Sequence, residues 1–215
     1  MSFNPDEFIA GIRTAQTTVT VFQRADIAGE LIAVEEDLAL FLDDDGGEQD
    51  LAAGAEKAEL LEKQERLQTE LQGSAVEFTV QALDQERVDE IAQEARAACK
   101  DRADAAAKRA AGYAREECKR AEVTDAKEIK DAIKRATSNA SNAIVTHEAG
   151  VHTLAAVIVG DTGQSVFTIE QMRQFVDKIG APQVRKLQKA FYELSSNEPG
   201  DYLPKSSRPG RTDEA

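Results

Sequence analysis

From Asp84 to about Asn142 the chain is little but alanine and charge, as in RADAAAKRAAGYAREECKRAEV. Alanine has the highest helix propensity, and interleaved opposite charges add pairs one turn apart, so this stretch is committed to helix. Its apolar face, Val88, Ile91, Ala95, Cys99, Ala106 and Tyr113, is narrow and made mostly of small side chains. A helix of that kind buries little area alone and needs a neighbour. EVTDAKE at 122–128 offers a break, with Thr124 or Asp125 capping a new start. With 5% aromatic residues and no Trp, the chain predicts thin helical seams in place of one thick core.

Upstream the pattern is different. TTVTVFQ at 17–23 is β-branched with period-two alternation, which predicts a strand. Ile27, Leu31, Val34, Leu38 and Phe41 then repeat at 4-3-4-3 spacing as an amphipathic helix. DDDGGEQD at 43–50 breaks it. Its aspartates suggest a calcium loop, but a glycine at the sixth position would put Phe41 or Leu42 at the first ligand site, so the stretch reads as a plain loop. Leu60, Gln64, Leu67 and Leu71 mark a second helix, and AVEFTVQAL at 75–83 a second strand. A helical hairpin returns the chain to where it left, so the two strands are expected to pair antiparallel.

VTHEAGVHTLAAVIVGDTG, residues 145–163, carries two enzyme-like signatures. A zinc-protease helix places its histidines at i and i+4 so that both rings reach one metal. Here His147 and His152 are five apart, which turns a helix by about 140° and makes the rings diverge. The spacing instead predicts a stripe of Ile144, His147, Val151, Leu154 and Ile158, with Glu148 and His152 paired on its flank. The DTG at Asp161 lacks the β-rich surroundings and the second carboxylate of an aspartic protease. Gly160, Asp161 and Gly163 read as a turn ending one helix before the next.

Beyond that turn, Thr168 and Gln171 fit a capping box, and Phe167 with Met172 a hydrophobic staple. Gly180 should stop this helix and Pro182 begin another. Met172, Phe175, Val176 and Ile179 are then expected to face Val184, Leu187, Phe191 and Leu194.

The fold class expected is mainly α: two short strands flanking a helical hairpin, a long Ala-rich helix and a small C-terminal helical bundle. The divisions are an N-terminal helical segment at 1–16, a strand–helical hairpin–strand unit at 17–83, a charged Ala-rich region at 84–142, a C-terminal helical region at 143–196 and a disordered tail at 197–215. Residues 25–72 hold 15 acidic and 3 basic side chains within a net charge of −14, whereas 84–136 hold 13 of each sign. This balance argues against nucleic-acid binding through a basic patch. No run has the length of a membrane span, and MSFNPDEFIAG lacks the basic and apolar parts of a signal peptide, which predicts a cytoplasmic protein without a membrane partner. Cys99 and Cys118, about 28 Å apart on one helix, fit reduced thiols. No nucleophile–base pair, phosphate loop or metal-ligand spacing stands out, so neither catalysis nor a cofactor is expected.

TVTVFQRADIAGELIAVEEDL, a polar gap, a Leu-spaced acidic helix and AVEFTVQAL together resemble the N-terminal half of tail assembly chaperones from siphophages of actinobacteria. Arg24, Asp26, Leu31 and Leu38 match the first element, and Phe78, Thr79, Ala82 and Leu83 the second. AIVTHEAGVHTLAAVIV followed by FTIEQMRQFVDKIGAPQVRKLQKAFYELSSNEPGDYLPKS resembles the C-terminal part of the same family. The resemblance implies a non-enzymatic protein of the host cytoplasm, absent from the mature virion, that binds the tape measure protein and assists tail-tube subunits in polymerising around it. The alternative is a structural virion component, a minor tail or connector protein. Val88, Ile91, Val151, Leu154, Phe175, Leu187 and Phe191 are the residues expected to mediate tape-measure binding or self-association, because so few apolar side chains predict a surface that waits for a partner.

Overall fold

The computed structural model describes residues 4–41 and 51–196; the loop expected at 43–50 and the tail expected at 197–215 lie outside them. In chain order the elements are α1 (Pro5–Gly11), β1 (Gln16–Phe22), α2 (Ile27–Leu40), α3 (Leu51–Gly73), β2 (Ala75–Gln81), α4 (Gln85–Arg120), α5 (Ala126–Val157), β3 (Ile158–Val159), α6 (Ile169–Ile179) and α7 (Ala181–Ser196). The architecture is mainly α, organised around a small antiparallel sheet in the order β1-β2-β3.

β1 and β2 pair antiparallel as the hairpin logic requires, with Val19 opposite Phe78 and Val21 opposite Val76. Period two turns Val19, Val21, Phe78 and Val80 toward the core. β3 was not foreseen. Ile158 and Val159 leave the end of α5 and pair with Val80 and Thr79, and Val159 bridges to Ser165 beyond the turn. Ile158 therefore ends the helical stripe instead of continuing it, because the two β-branched residues complete the sheet. Gly163 in that turn sits at φ 74°, where a side chain would be strained.

The free edge of β1 is covered by side chains, which blunts its capacity to recruit another strand. Phe22 donates its backbone N–H to Gln183 Oε1 at 2.6 Å, and its carbonyl accepts from Gln183 Nε2 at 2.8 Å. Lys186 Nζ donates to the Thr20 carbonyl at 2.8 Å. α7 is thereby fastened along β1. Thr168 and Gln171 form the expected capping box of α6, and Gly180, at φ 88°, ends it. Met172, Ile179, Val184, Leu187 and Phe191 close the core against the sheet and the end of α5.

Two helical hairpins leave the sheet from opposite ends of β2. α2 and α3 meet through buried Ile27, Val34 and Leu67, with Leu31, Leu38, Leu60 and Leu71 packed around them. Arg24 ties the base of this hairpin to Asp26 at 2.8 Å and to Glu70 at 2.5 Å. At the other end α4 and α5 form a longer arm. Asp84 and Asp125 cap the two helices, accepting from the backbone N–H groups of Arg87 and Lys127. At 1.5 Å per residue they run about 54 and 48 Å. α5 passes unbroken through position 142, so the expected boundary between an Ala-rich and a C-terminal region falls inside one helix. The α4 stripe is Ile91, Ala95, Cys99 and Ala103, a turn-by-turn path that leaves Tyr113 69% exposed instead of on the seam.

Candidate functional site

α5 buries Val151 and Leu154 of the expected stripe, but its buried face is turned toward Glu148 and away from His147. His147 is exposed, whereas Glu148, at 1% exposure, and His152 lie inside with Val151, Leu154 and Ala155. A stripe through 148, 151, 152 and 155 fits the helical period as well as one through His147. What decides between them is the opposing helices. Arg102 of α4 donates to Glu148 Oε2, and Arg173 Nη2 of α6 donates to Oε1 at 2.5 Å. Arg173 also bonds Glu170 at 2.5 Å. The carboxylate thus joins the long arm to the C-terminal helices.

Burial alone would push the Glu148 carboxyl upward, but the hydrogen bonds from Arg173 and Arg102 outweigh it and hold the group below its ordinary value. His152 Nε2 is 3.5 Å from Glu148 Oε1 without forming a hydrogen bond, and both its ring nitrogens and Arg173 Nε are buried without a partner. The arrangement sets one buried anion between two cations from other helices, which suits it to docking α4 and α6 onto α5. Among the described residues no group of three or more His, Cys, Asp or Glu side chains converges as a metal site would require.

The open surface of interest is a groove of about 410 Å³ between the sheet and α6. Phe78 of β2, Phe167 and Phe175 line it, with Val21, Val76 and Ile179. The three rings form a cluster with centroids 5.5–5.7 Å apart, Phe78 meeting Phe175 edge-on. Gln23, Gln171, Gln174 and Lys178 supply the polar lining. An apolar trough with a polar lining suits apolar side chains presented by a partner helix.

The residues expected to bind a partner are placed otherwise. Ile91, Val151, Leu154, Leu187 and Phe191 are buried, and Val88 and Phe175 are partly buried against the same core. Five of the seven therefore hold the fold and are closed to a partner. Val151, Leu154, Leu187 and Phe191 pack where α5, α6 and α7 converge on the sheet, and Ile91 is buried on α4. Phe175 alone also borders the groove, and its companions Phe78 and Phe167 were read as parts of a strand and a staple. No helix among the described residues is long and apolar enough to cross a membrane. No family model, curated protein or solved structure matches the chain.

Proposed function

We propose that this chain is a non-enzymatic tail assembly chaperone that binds helical segments of a phage tape measure protein and assists tail-tube polymerisation around it. The observation that carries the reading is the Phe78–Phe167–Phe175 groove, an apolar surface that the fold leaves open beside the buried core. The ordered resemblance at both ends of the chain supplies the client. Binding is moderate by design, since a chaperone must release its client when tube subunits arrive, and release is governed mainly by dissociation rate.

Co-expression with the tape measure protein tests the proposal. The tape measure becomes more soluble and co-purifies with the chain, and Phe167→Asp weakens the pair while preserving the helical circular dichroism. A tape measure that is equally soluble alone and never associates would exclude the chaperone role.

A further inference from the structure

The outer part of the α4–α5 arm has no interior. From residue 104 to residue 147 not one side chain is buried, although Ile129, Ile133, Ile144 and Val145 lie on its half-covered seam. Two Ala-rich helices of this length bury little against each other alone, so the seam is left with apolar surface that a further helix would cover. The same stretch carries nine basic and seven acidic side chains in a chain whose net charge is −14. Its cations are concentrated. Hairpin packing sets 108–115 of α4 beside roughly 131–138 of α5, and this band holds Lys108, Arg109, Arg115, Lys134 and Arg135 against Asp131 alone. All five are exposed, and among the described residues none takes part in an ion pair.

The surface complementary to this band lies on the same chain. α2 carries Glu30, Glu35, Glu36 and Asp37 and no basic residue. All four are exposed, none is in an ion pair among the described residues, and Ile32 and Leu40 of the same helix are also exposed. The two hairpins leave β2 at opposite ends, and among the described residues no ion pair joins them.

We infer that the arm of one copy receives the α2 helix of a second copy. Ile32 and Leu40 reach the half-covered seam while the four carboxylates meet the cation band. The contact is heterologous: each copy offers both halves, so association propagates head to tail and either closes into a ring or continues as a filament. Arm-to-arm contact would oppose two cation bands and α2-to-α2 contact two anionic helices, so electrostatics selects the mixed pairing.

Sedimentation velocity of the full chain tests this. The weight-average mass rises above the 23.4 kDa of one chain at low ionic strength, and falls back in about 1 M salt, where the screening length is near 3 Å. Arg109→Glu with Arg135→Glu, or Glu35→Lys with Glu36→Lys, each weakens association at least about tenfold. Mixing the two reversed variants restores it, because each arm then faces an α2 of opposite charge. Should a variant lose its helical signal, zero-length cross-linking of the wild-type chain gives the same readout, with Lys108 or Lys134 joined to Glu35 or Glu36 in the multimer band only. A chain of single-copy mass at low salt, reversed variants that associate like wild type, a mixture that stays monomeric, or a multimer lacking those cross-links would each overturn the inference.

Discussion

Removing the charges around Glu148 one side at a time separates a docking ion cluster from incidental contacts. The carboxylate is 1% exposed, whereas the Arg102 and Arg173 side chains are 51% and 30% exposed. A charge-assisted hydrogen bond between buried partners is worth roughly 1.5–3 kcal/mol. Here two such bonds end on one carboxylate, but water recovers part of their value at the exposed guanidinium groups. Glu148→Ala is therefore expected to cost about 2–4 kcal/mol, since both arginines can rehydrate once freed. Arg102→Ala combined with Arg173→Ala leaves the anion buried without either cation and should cost more, about 3–5 kcal/mol at pH 7. Denaturant titrations at constant ionic strength give both values.

The wild-type chain and the double arginine variant also differ in the sign of the pH dependence that Glu148 contributes. In the wild-type chain Glu148 sits below its ordinary value, so its contribution is present above the ordinary carboxylate range and is lost as pH falls through the lowered folded value. Without the arginines, burial dominates and raises the carboxyl instead, so the folded variant gains protons and its deficit shrinks on acidification. A double arginine variant as stable as wild type at pH 7, or one whose deficit is unchanged by acidification, would refute the cluster's role in docking the arm.

Leu67 is buried between α2 and α3. Leu67→Ala should cost on the order of 2–4 kcal/mol, and superimposable thermal melts would remove the proposed seam. Thr168→Ala deletes the side chain that accepts from the Gln171 backbone N–H, at a cost of about 1 kcal/mol in denaturant unfolding. Elemental analysis of protein purified without a tag should find no stoichiometric zinc, because His147 is exposed and His152 lies inside beside an arginine-bound Glu148. Stoichiometric zinc lost on His147→Ala would contradict this.

Local chemistry made most of the elements legible. Period-two alternation located β1 and β2, the capping box located α6, and Gly180 with Pro182 located the corner before α7. What remained hidden depended on partners distant in the chain. His147 and Glu148 are adjacent on α5, and either can share a buried face with Val151 and Leu154; Arg102, 46 residues away, and Arg173 draw in Glu148. β3 is two residues long, too short to carry a periodic signal, and exists because β2 has a free edge beside it. The groove escaped for the same reason. Phe78, Phe167 and Phe175 come from a strand, a loop and a helix, and each had an adequate local explanation in its own segment.

The central claim is that the groove between the sheet and α6 receives a helix of the tape measure protein. Lys178 lines that groove and is exposed, so a photocrosslinking amino acid there reports occupancy without disturbing the core. Tyr192 on α7, exposed and outside the groove, serves as the control position. On irradiation of the co-expressed pair, position 178 is expected to capture the tape measure protein and position 192 is not. A tape measure protein that co-purifies yet is captured at 192 and never at 178 would contradict the groove as its seat.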